Sequence, residues 1–200
     1  AKEISDELER LGLDFQKNVN EDGTTVTITP AEAAGMPESW IAARKRDDQG
    51  NLVLGMDYPT YLPFLELATN AEARKRVWMA KNREGGEKNL KILEQALALR
   101  YELAQLHGQP DFATYALKRR MAQTPAAVYE FLGKVKEAAD PLQAKEFAEL
   151  RAEKAKLDDT PVAETRLNRW DVSYLKERVR KARYSVDQEA FRPYFPPAES

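Results

Sequence analysis

The chain has 200 residues, of which 42% are hydrophobic, 32% are charged and none is cysteine, and its net charge at pH 7 is −2. This composition favours one globular domain or two small ones, built mainly from amphipathic helices with charged outer faces. It excludes disulfides and thiolate chemistry, and it provides no global positive field to attract nucleic acid or an anionic membrane. No apolar run approaches the roughly 20 residues that a membrane-spanning helix needs.

The first fifty residues predict a helix, a strand and further short helices. Apolar residues three or four apart predict a helix from Lys2 to about Asn18. Residues 24–29 alternate polar and β-branched side chains and predict a strand. Thr29-Pro30-Ala31-Glu32 has the pattern of a capping box with proline in the first helical position, so a helix is predicted there. Another short helix is predicted from Pro37 through Ala43.

A second strand is predicted at residues 52–57, a short apolar run between Gly50-Asn51 and Pro59. We expect it to pair antiparallel with residues 24–29. Because two strands alone are marginally stable in water, this ribbon should lie against helices.

Two helices are predicted to follow the second strand. Asn70 should cap a helix that starts at Ala71 and ends near Gly85-Gly86. The next helix, residues 88–106, carries apolar side chains on more than one face and is predicted to be the best core element of the chain. Gly108 and Pro110 should end it. Its apolar face comprises Leu90, Leu93, Leu97, Tyr101 and Ala104, widened by Leu99, Leu103 and Leu106.

Three more helices are predicted, at residues 111–122, at residues 125–157 after the cap residue Thr124, and after Asp171 as a cap. Val128, Phe131, Leu132 and Val135 form the apolar stripe of the second of these. Pro141 should kink it or split it in two. The predicted fold is therefore mainly α: a bundle-like array of helices with one small two-stranded antiparallel ribbon, residues 24–29 with 52–57.

Several segments, taken in order, resemble a known family. They are residues 51–65 (NLVLGMDYPTYLPFL), 70–74, 99–108, 112–117, 118–122, 170–174 and 192–196. No single segment is diagnostic, but the ordered set covers nearly the whole chain. The chain resembles the zinc-dependent oligopeptidases of the thimet oligopeptidase, oligopeptidase A and dipeptidyl carboxypeptidase family, which is peptidase family M3.

The resemblance implies a helical, two-lobed protein whose deep, narrow channel admits short peptides. It also implies Zn²⁺ held by two histidines and a glutamate, with a second glutamate as general base. The family's His-Glu-x-x-His motif is absent here, because the chain has a single histidine. The motif is expected beyond Ser200. We therefore assign no catalytic, cofactor-binding or metal-binding residue within residues 1–200.

His107 is that single histidine, and it is the only candidate for an imidazole ligand or base. A catalytic zinc usually takes three protein ligands, so one histidine without any cysteine argues against a complete zinc site in this chain. A histidine at a predicted helix C-terminus complements the helix dipole, which favours a structural role. No Gly-x-Ser-x-Gly sequence is present to support a serine nucleophile.

Glu146, Glu149 and Glu153 share a predicted helical face, and clustered carboxylates can bind hard cations or serve acid–base chemistry. Lysines and arginines interleave with them, which favours a solvated, salt-bridged face. Gly85-Gly86 lacks the spacing of a phosphate-binding loop.

The basic clusters at residues 44–46, 118–120 and 178–183 are interrupted or flanked by acidic residues, so no nucleic-acid interface is predicted. In the resembled family the region of residues 176–183 and Tyr184 borders the catalytic half, so the resemblance allows a cleft lining there, but an ordinary packing interface is favoured. The three tryptophans are interpreted as core or inter-helix anchors: Trp40, Trp78 and Trp170.

Residues 1–200 are thus expected to be one excised segment, cut at both ends, of a larger helical zinc metallo-oligopeptidase. The segment alone should be inactive, and its partners would be the missing catalytic portion and, in the full-length enzyme, short peptides. Endopeptidase and dipeptidyl carboxypeptidase action both stay open. A cytoplasmic location is expected, with a periplasmic one as the other possibility. The alternative function is a stand-alone helical scaffold or protein-interaction module without catalytic activity.

Overall fold

The computed structural model describes residues 1–184, and the tail segment 192–196 that contributed to the resemblance lies outside the described residues. The described residues form eight helices and three strands, so the mainly α class is confirmed. In chain order the elements are α1 (Lys2–Asn20), β1 (Thr25–Ile28), α2 (Glu38–Ala42), β2 (Lys45–Arg46), β3 (Leu52–Gly55), α3 (Tyr58–Leu67), α4 (Ala71–Lys81), α5 (Gly86–Leu106), α6 (Phe112–Leu117), α7 (Pro125–Asp158) and α8 (Arg169–Tyr184). None of these helices has the length and hydropathy to cross a membrane.

The elements belong to two compact units. The first unit contains residues 1–24 and 82–144, and the second contains residues 25–81 together with the described residues from 145 onward.

In the first unit α5 packs against α1 and α6. Asn89 is buried beneath α1, where its Nδ2 donates to the carbonyl of Phe15 at 3.1 Å and its Oδ1 accepts from Asn18 at 2.8 Å. Gly85 precedes α5 with φ +76°, a left-handed conformation that also leaves room for Asn89, because a Cβ on Gly85 would lie 2.1 Å from the Asn89 Nδ2. The predicted break in the helical pattern at Gly85-Gly86 is thus confirmed, and α5 begins there.

The prediction that α5 is the best core element is wrong. Leu103 and Ala104 are buried, but Leu97 is 55% exposed and Tyr101 is 59% exposed. The residues of the predicted stripe that are exposed are Leu90, Leu93, Leu97, Tyr101 and Leu106. Periodicity shows which face of a helix can be buried, while α1 and α6 cover only part of that face.

The helix α7 also differs from expectation. Pro141 lies inside a continuous helix of 34 residues, so the helix is not split there. Phe131, Leu132 and Val135 from its predicted stripe are exposed. The predicted helix at 111–122 is shorter, ending at Leu117, and begins after Asp111, whose carboxylate accepts from the Thr114 N–H at 2.7 Å.

In the second unit the three strands form an antiparallel sheet in the order β1-β3-β2. The predicted pairing is confirmed, with Val26 opposite Leu54 and Ile28 opposite Leu52. The third strand, β2, was not predicted, because its two residues are the charged pair Lys45-Arg46 of a basic cluster.

The core of the second unit lies between this sheet and helices α3 and α4. Its fully buried side chains include Ile28, Leu52 and Leu54 from the sheet, Phe64 from α3 and Val77 from α4. Sequence analysis missed α3, because Pro59 and Pro63 discourage a helical interpretation. Pro59 lies in the first turn, where its missing N–H has no helical partner to lose, and burial of Phe64 holds the rest of the helix in place.

The caps predicted from the sequence in the second unit agree with the structure in some places and differ from it in others. The Asn70 cap is confirmed, since its Oδ1 accepts from the Ala73 N–H at 2.9 Å. Thr29 and Glu32 form their reciprocal capping bonds at 3.0 and 3.3 Å, but only turns follow, so the predicted helix is wrong there. Gly35, at φ +93°, leaves the helical region before a second turn can form. Asp171 lies inside the first turn of α8 rather than at its cap, because α8 begins at Arg169.

Candidate functional site

The second unit contains a buried ion network centred on Asp171, which is 1% exposed. Arg74 Nη2 donates to Asp171 Oδ1 at 3.0 Å, and Lys154 Nζ donates to Oδ2 at 2.7 Å. Burial alone would raise the pKa of Asp171, but the hydrogen bonds from Lys154 and Arg74 outweigh it and lower that pKa below its ordinary value. The carboxylate is therefore held ionised.

Three further hydrogen bonds hold the guanidinium of Arg74. They reach the carbonyls of Ala68 at 2.7 Å, Thr69 at 3.0 Å and Trp170 at 3.2 Å. The guanidinium carbon lies 4.1 Å from the ring centre of Tyr174. The cluster is buried and internally paired, so removal of one partner would be costly, and it suits holding α4, α7 and α8 together better than binding or proton transfer.

The same unit has an open cavity of about 660 Å³, lined by α2 and the residues around it, by α3 and by α8. We call it the α2–α3–α8 cavity. Its volume falls within the range of small-molecule binding pockets, roughly 300–1,000 Å³. Its charged lining residues are Arg44, Glu66, Lys176, Glu177 and Arg180.

Arg44 is fixed on the wall of this cavity by neutral partners. Its Nε donates to the carbonyl of Trp40 at 3.2 Å, and its Nη1 donates to the buried hydroxyl of Thr60. The guanidinium carbon lies 4.9 Å from the Trp40 ring centre. Within residues 1–184 Arg44 forms no salt bridge, and the same holds for Lys176 on α8.

Glu66 is the half-buried carboxylate of the cavity, and it has no hydrogen bond or salt bridge within the described part of the chain. Burial raises its pKa, the charge of Glu177 raises it further, and Arg180 opposes the change. Glu177 behaves in the opposite way, because two hydrogen bonds of 2.8 Å from Arg180 lower its pKa. The two carboxylates therefore differ: Glu177 is paired, whereas Glu66 is desolvated and free.

Trp40 adds an apolar wall to the cavity. Its ring stacks on Phe64 with a centroid separation of 5.9 Å, which confirms its role as a core anchor. Its indole Nε1 is buried and has no hydrogen-bond partner among residues 1–184. Trp78 and Trp170 anchor each other with a centroid separation of 6.0 Å, as predicted.

The residues singled out from the sequence take structural positions. His107 follows the last turn of α5 in the first unit, where its ring stacks on Tyr115 at 4.7 Å. Glu149 pairs with Arg183 at 2.7 Å and Glu153 pairs with Arg178 at 3.0 Å, both on α8, and Glu153 also pairs with Lys156 along α7 at 3.8 Å, so the salt-bridged face is confirmed for these two carboxylates. Among residues 1–184 no three His, Cys, Asp or Glu side chains are grouped closely enough to hold a metal ion.

Sequence reasoning missed Glu66 and Arg44 and identified only part of the cavity wall. The helix from Lys176 to Arg183 was considered as a cleft lining, and Lys176 and Arg180 do line the cavity. On the same helix Val179 packs near Leu150, so the interface interpretation is also confirmed. The signal for Glu66 was a lone acid in an apolar stretch, which becomes visible only once that stretch is known to be helical.

Comparison with known proteins decides the family. The sequence profile of peptidase family M3 matches residues 64–199. The chain belongs to peptidase family M3.

Individual members of the family are similar along almost the whole chain. Oligopeptidase A of Salmonella typhimurium is 36% identical over 209 aligned positions, which cover 97% of this chain and 30% of that protein. Oligopeptidase A of Escherichia coli is 35% identical over the same shares, and saccharolysin of Saccharomyces cerevisiae is 32% identical over 98% of this chain and 28% of its own length. The chain therefore spans about 30% of the length of these curated relatives, and the resemblance found in the sequence is confirmed.

Proposed function

We propose that this M3 chain is a non-catalytic helical segment of a zinc metallo-oligopeptidase that hydrolyses short peptides. Family membership carries the proposal, since the similar proteins are oligopeptidases along whose sequences the chain aligns for 97% of its residues. The chain would supply a helical wall and the small sheet of the second unit, and the zinc ligands would belong to another part of the protein.

The scarcity of metal-ligating residues in this sequence supports placing the zinc ligands in another part of the protein. The resemblance implies a zinc held by two histidines and one glutamate, and this sequence contains one histidine and no cysteine. Moreover, His107 stacks on Tyr115 and belongs to no group of three potential metal ligands among residues 1–184. We therefore propose Zn²⁺ as a cofactor of the full-length protein and assign none of its ligands to this chain.

The exposed apolar stripes of α5 and α7 support the proposal in another way. Contiguous apolar surface on a folded protein usually marks an interaction site. Stripes that include Leu97 and Phe131, 55% and 65% exposed, would suit packing against the remaining polypeptide of such an enzyme. A cytoplasmic location is part of the proposal, although the similar proteins include both a probable cytosolic oligopeptidase A and an organellar one, each from Arabidopsis thaliana.

A hydrolysis assay tests the proposal. The purified 200-residue chain is incubated with a quenched fluorescent peptide and Zn²⁺, beside Escherichia coli oligopeptidase A as the positive control. We expect no cleavage above the buffer blank, and no effect of a chelator. Cleavage that a chelator abolishes would overturn the proposal.

The gene itself separates the proposal from the alternative of a stand-alone scaffold. We expect the gene to encode His-Glu-x-x-His downstream of the Ser200 codon. A stop codon close to Ser200 would instead favour the scaffold or interaction module without catalytic activity.

A further inference from the structure

The α2–α3–α8 cavity contains charges of both signs that form no salt bridge in the described chain. Arg44 and Lys176 supply positive charge without a salt bridge, and Glu66 supplies negative charge without any hydrogen bond. The remaining two charged groups, Glu177 and Arg180, neutralise each other through a bidentate pair.

Such an arrangement differs from an ordinary charged surface. Glu66 is half-buried, so the carboxylate has lost part of its hydration without receiving a hydrogen-bond donor in return, and this burial together with the charge of Glu177 raises its pKa. A buried polar group left unpaired is destabilising, and a ligand that supplies the missing donor recovers that free energy. The natural donor for a carboxylate is a cation such as an ammonium group.

The two basic side chains of the cavity that form no salt bridge can bind an anion. Two of the Arg44 donors are engaged with Trp40 and Thr60, which fixes the orientation of the guanidinium. Arginine has five N–H donors, so further donors stay available for a carboxylate. Lys176 is exposed and adds an ammonium group on the α8 side.

We propose that this cavity binds the charged ends of a free short peptide, with the α-ammonium group at Glu66 and the α-carboxylate at Arg44 and Lys176. That the ligand is a peptide rests on the proposed function. That it has both a positive and a negative end rests only on the cavity charges that form no salt bridge. A ligand with only one charge would leave the opposite charges in the cavity without partners. Apolar walls from Trp40 and Leu67 would contact the peptide between its ends.

The probe is the dipeptide Ala-Ala, titrated into the 200-residue chain and followed by amide chemical shifts in NMR spectra. N-acetyl-Ala-Ala and Ala-Ala-amide each lack one charge, and N-acetyl-Ala-Ala-amide lacks both. We expect saturable binding of Ala-Ala, and binding at least about tenfold weaker for each singly blocked form, because each loses a charge-assisted contact.

Two variants assign the charges to residues. Glu66→Gln keeps the shape of the side chain and should remove the preference for a free amino end. Lys176→Gln, at an exposed position where folding is not at risk, should weaken binding of peptides with a free carboxylate. Glu72→Gln and Lys156→Gln serve as matched controls, because both residues lie in the second unit with side chains 75% and 77% exposed and outside the cavity lining.

Several results would overturn the proposal: no saturable binding of Ala-Ala, equal binding of the blocked and free forms, or affinities that Glu66→Gln and Lys176→Gln leave unchanged. Dependence on one end only would overturn the two-ended site. None of these outcomes bears on hydrolysis, so failure here is distinguishable from failure of the proposed function.

Discussion

In the second unit Leu52 and Leu54 of the sheet and Phe64 of α3 are fully buried, whereas in the first unit most of the apolar stripe of α5 and the stripe residues Phe131, Leu132 and Val135 of α7 are exposed. Phe64 is 0% exposed and belongs to the buried core of the second unit, and Phe131 of α7 is 65% exposed. Both phenylalanines lie in helices with an apolar stripe, so their surroundings differ far more than their local sequence patterns.

The difference shows what hydrophobic periodicity can establish. A stripe of apolar residues identifies the face that a helix is able to bury. Whether that face is buried depends on which other elements are present to cover it. The second unit has its own sheet for this purpose, and in the described part of the first unit α5 packs against α1 and α6.

The sharpest test of this contrast is a matched pair of phenylalanine substitutions. Phe64→Ala should lower the free energy of unfolding by about 4 kcal/mol, because it leaves a cavity in a closed core. Phe131→Ala should change it by less than about 0.5 kcal/mol. Urea denaturation followed by tryptophan fluorescence suits the first variant, since all three tryptophans lie in the second unit; far-UV circular dichroism suits the second. Equal losses in both variants would contradict the contrast.

Removing one carboxylate from the buried network should have the next largest effect. Asp171→Ala leaves the guanidinium of Arg74, 3% exposed, without its counter-charge, so we expect a loss of about 3 kcal/mol in unfolding free energy. The control is Asp140→Ala, which breaks an exposed pair with Lys136 and should have little effect. The network would be dispensable if both variants unfolded at the same urea concentration.

Glycine substitutions provide a smaller test in each unit. Gly35→Ala should destabilise the second unit by about 2 kcal/mol, because φ is +93° and the added Cβ would lie 2.4 Å from the Leu67 carbonyl oxygen. Gly133→Ala should stabilise α7 by up to about 1 kcal/mol, since a helical glycine with open space around it only gains from a Cβ. Thermal unfolding of the two variants gives the sign of each change in stability. An increase in melting temperature for Gly35→Ala would show that a Cβ at this position is not strained.

The smallest effect concerns acid stability. Hydrogen bonds from Arg76 lower the pKa of Glu32 to about 2, against the opposing effect of burial. A lowered folded-state pKa stabilises the protein above the unfolded pKa, and this contribution disappears as the pH falls from about 4.5 to about 2. Arg76 is 44% exposed, so solvent screening limits it to less than about 1 kcal/mol.

In the Glu32→Gln variant the free energy of unfolding should therefore fall less than in the parent chain as the pH is lowered through that range. The difference from the parent chain should shrink at high ionic strength, as expected for a partly exposed pair. A difference that persisted unchanged at pH 2 would show that the charge of Glu32 is not its source.

Local signals explain which parts of the fold were predictable. The Asn70 cap and the strand pairing depend on a few adjacent residues, and both are present in the structure. The helix α3 was missed, because its prolines oppose a helix locally and only burial of Phe64 and its neighbours compensates.

The candidate site was less predictable than the fold. Arg44, Glu66 and Lys176 are separated by 22 and 110 residues in the sequence, and no pattern connects them before the elements fold. Their common feature, a charge that forms no salt bridge, is a property of the folded unit. Family membership, in contrast, was visible from ordered segments spread along the chain, and the profile match confirms it.

The central claim is that the 200 residues form a non-catalytic segment of a metallopeptidase. Its most direct test is the zinc content of the purified chain after incubation with Zn²⁺ and dialysis, measured by inductively coupled plasma mass spectrometry. The account predicts only background zinc, far below one ion per chain, and no change with His107→Ala. One tightly held zinc per chain that is lost with His107→Ala would contradict it.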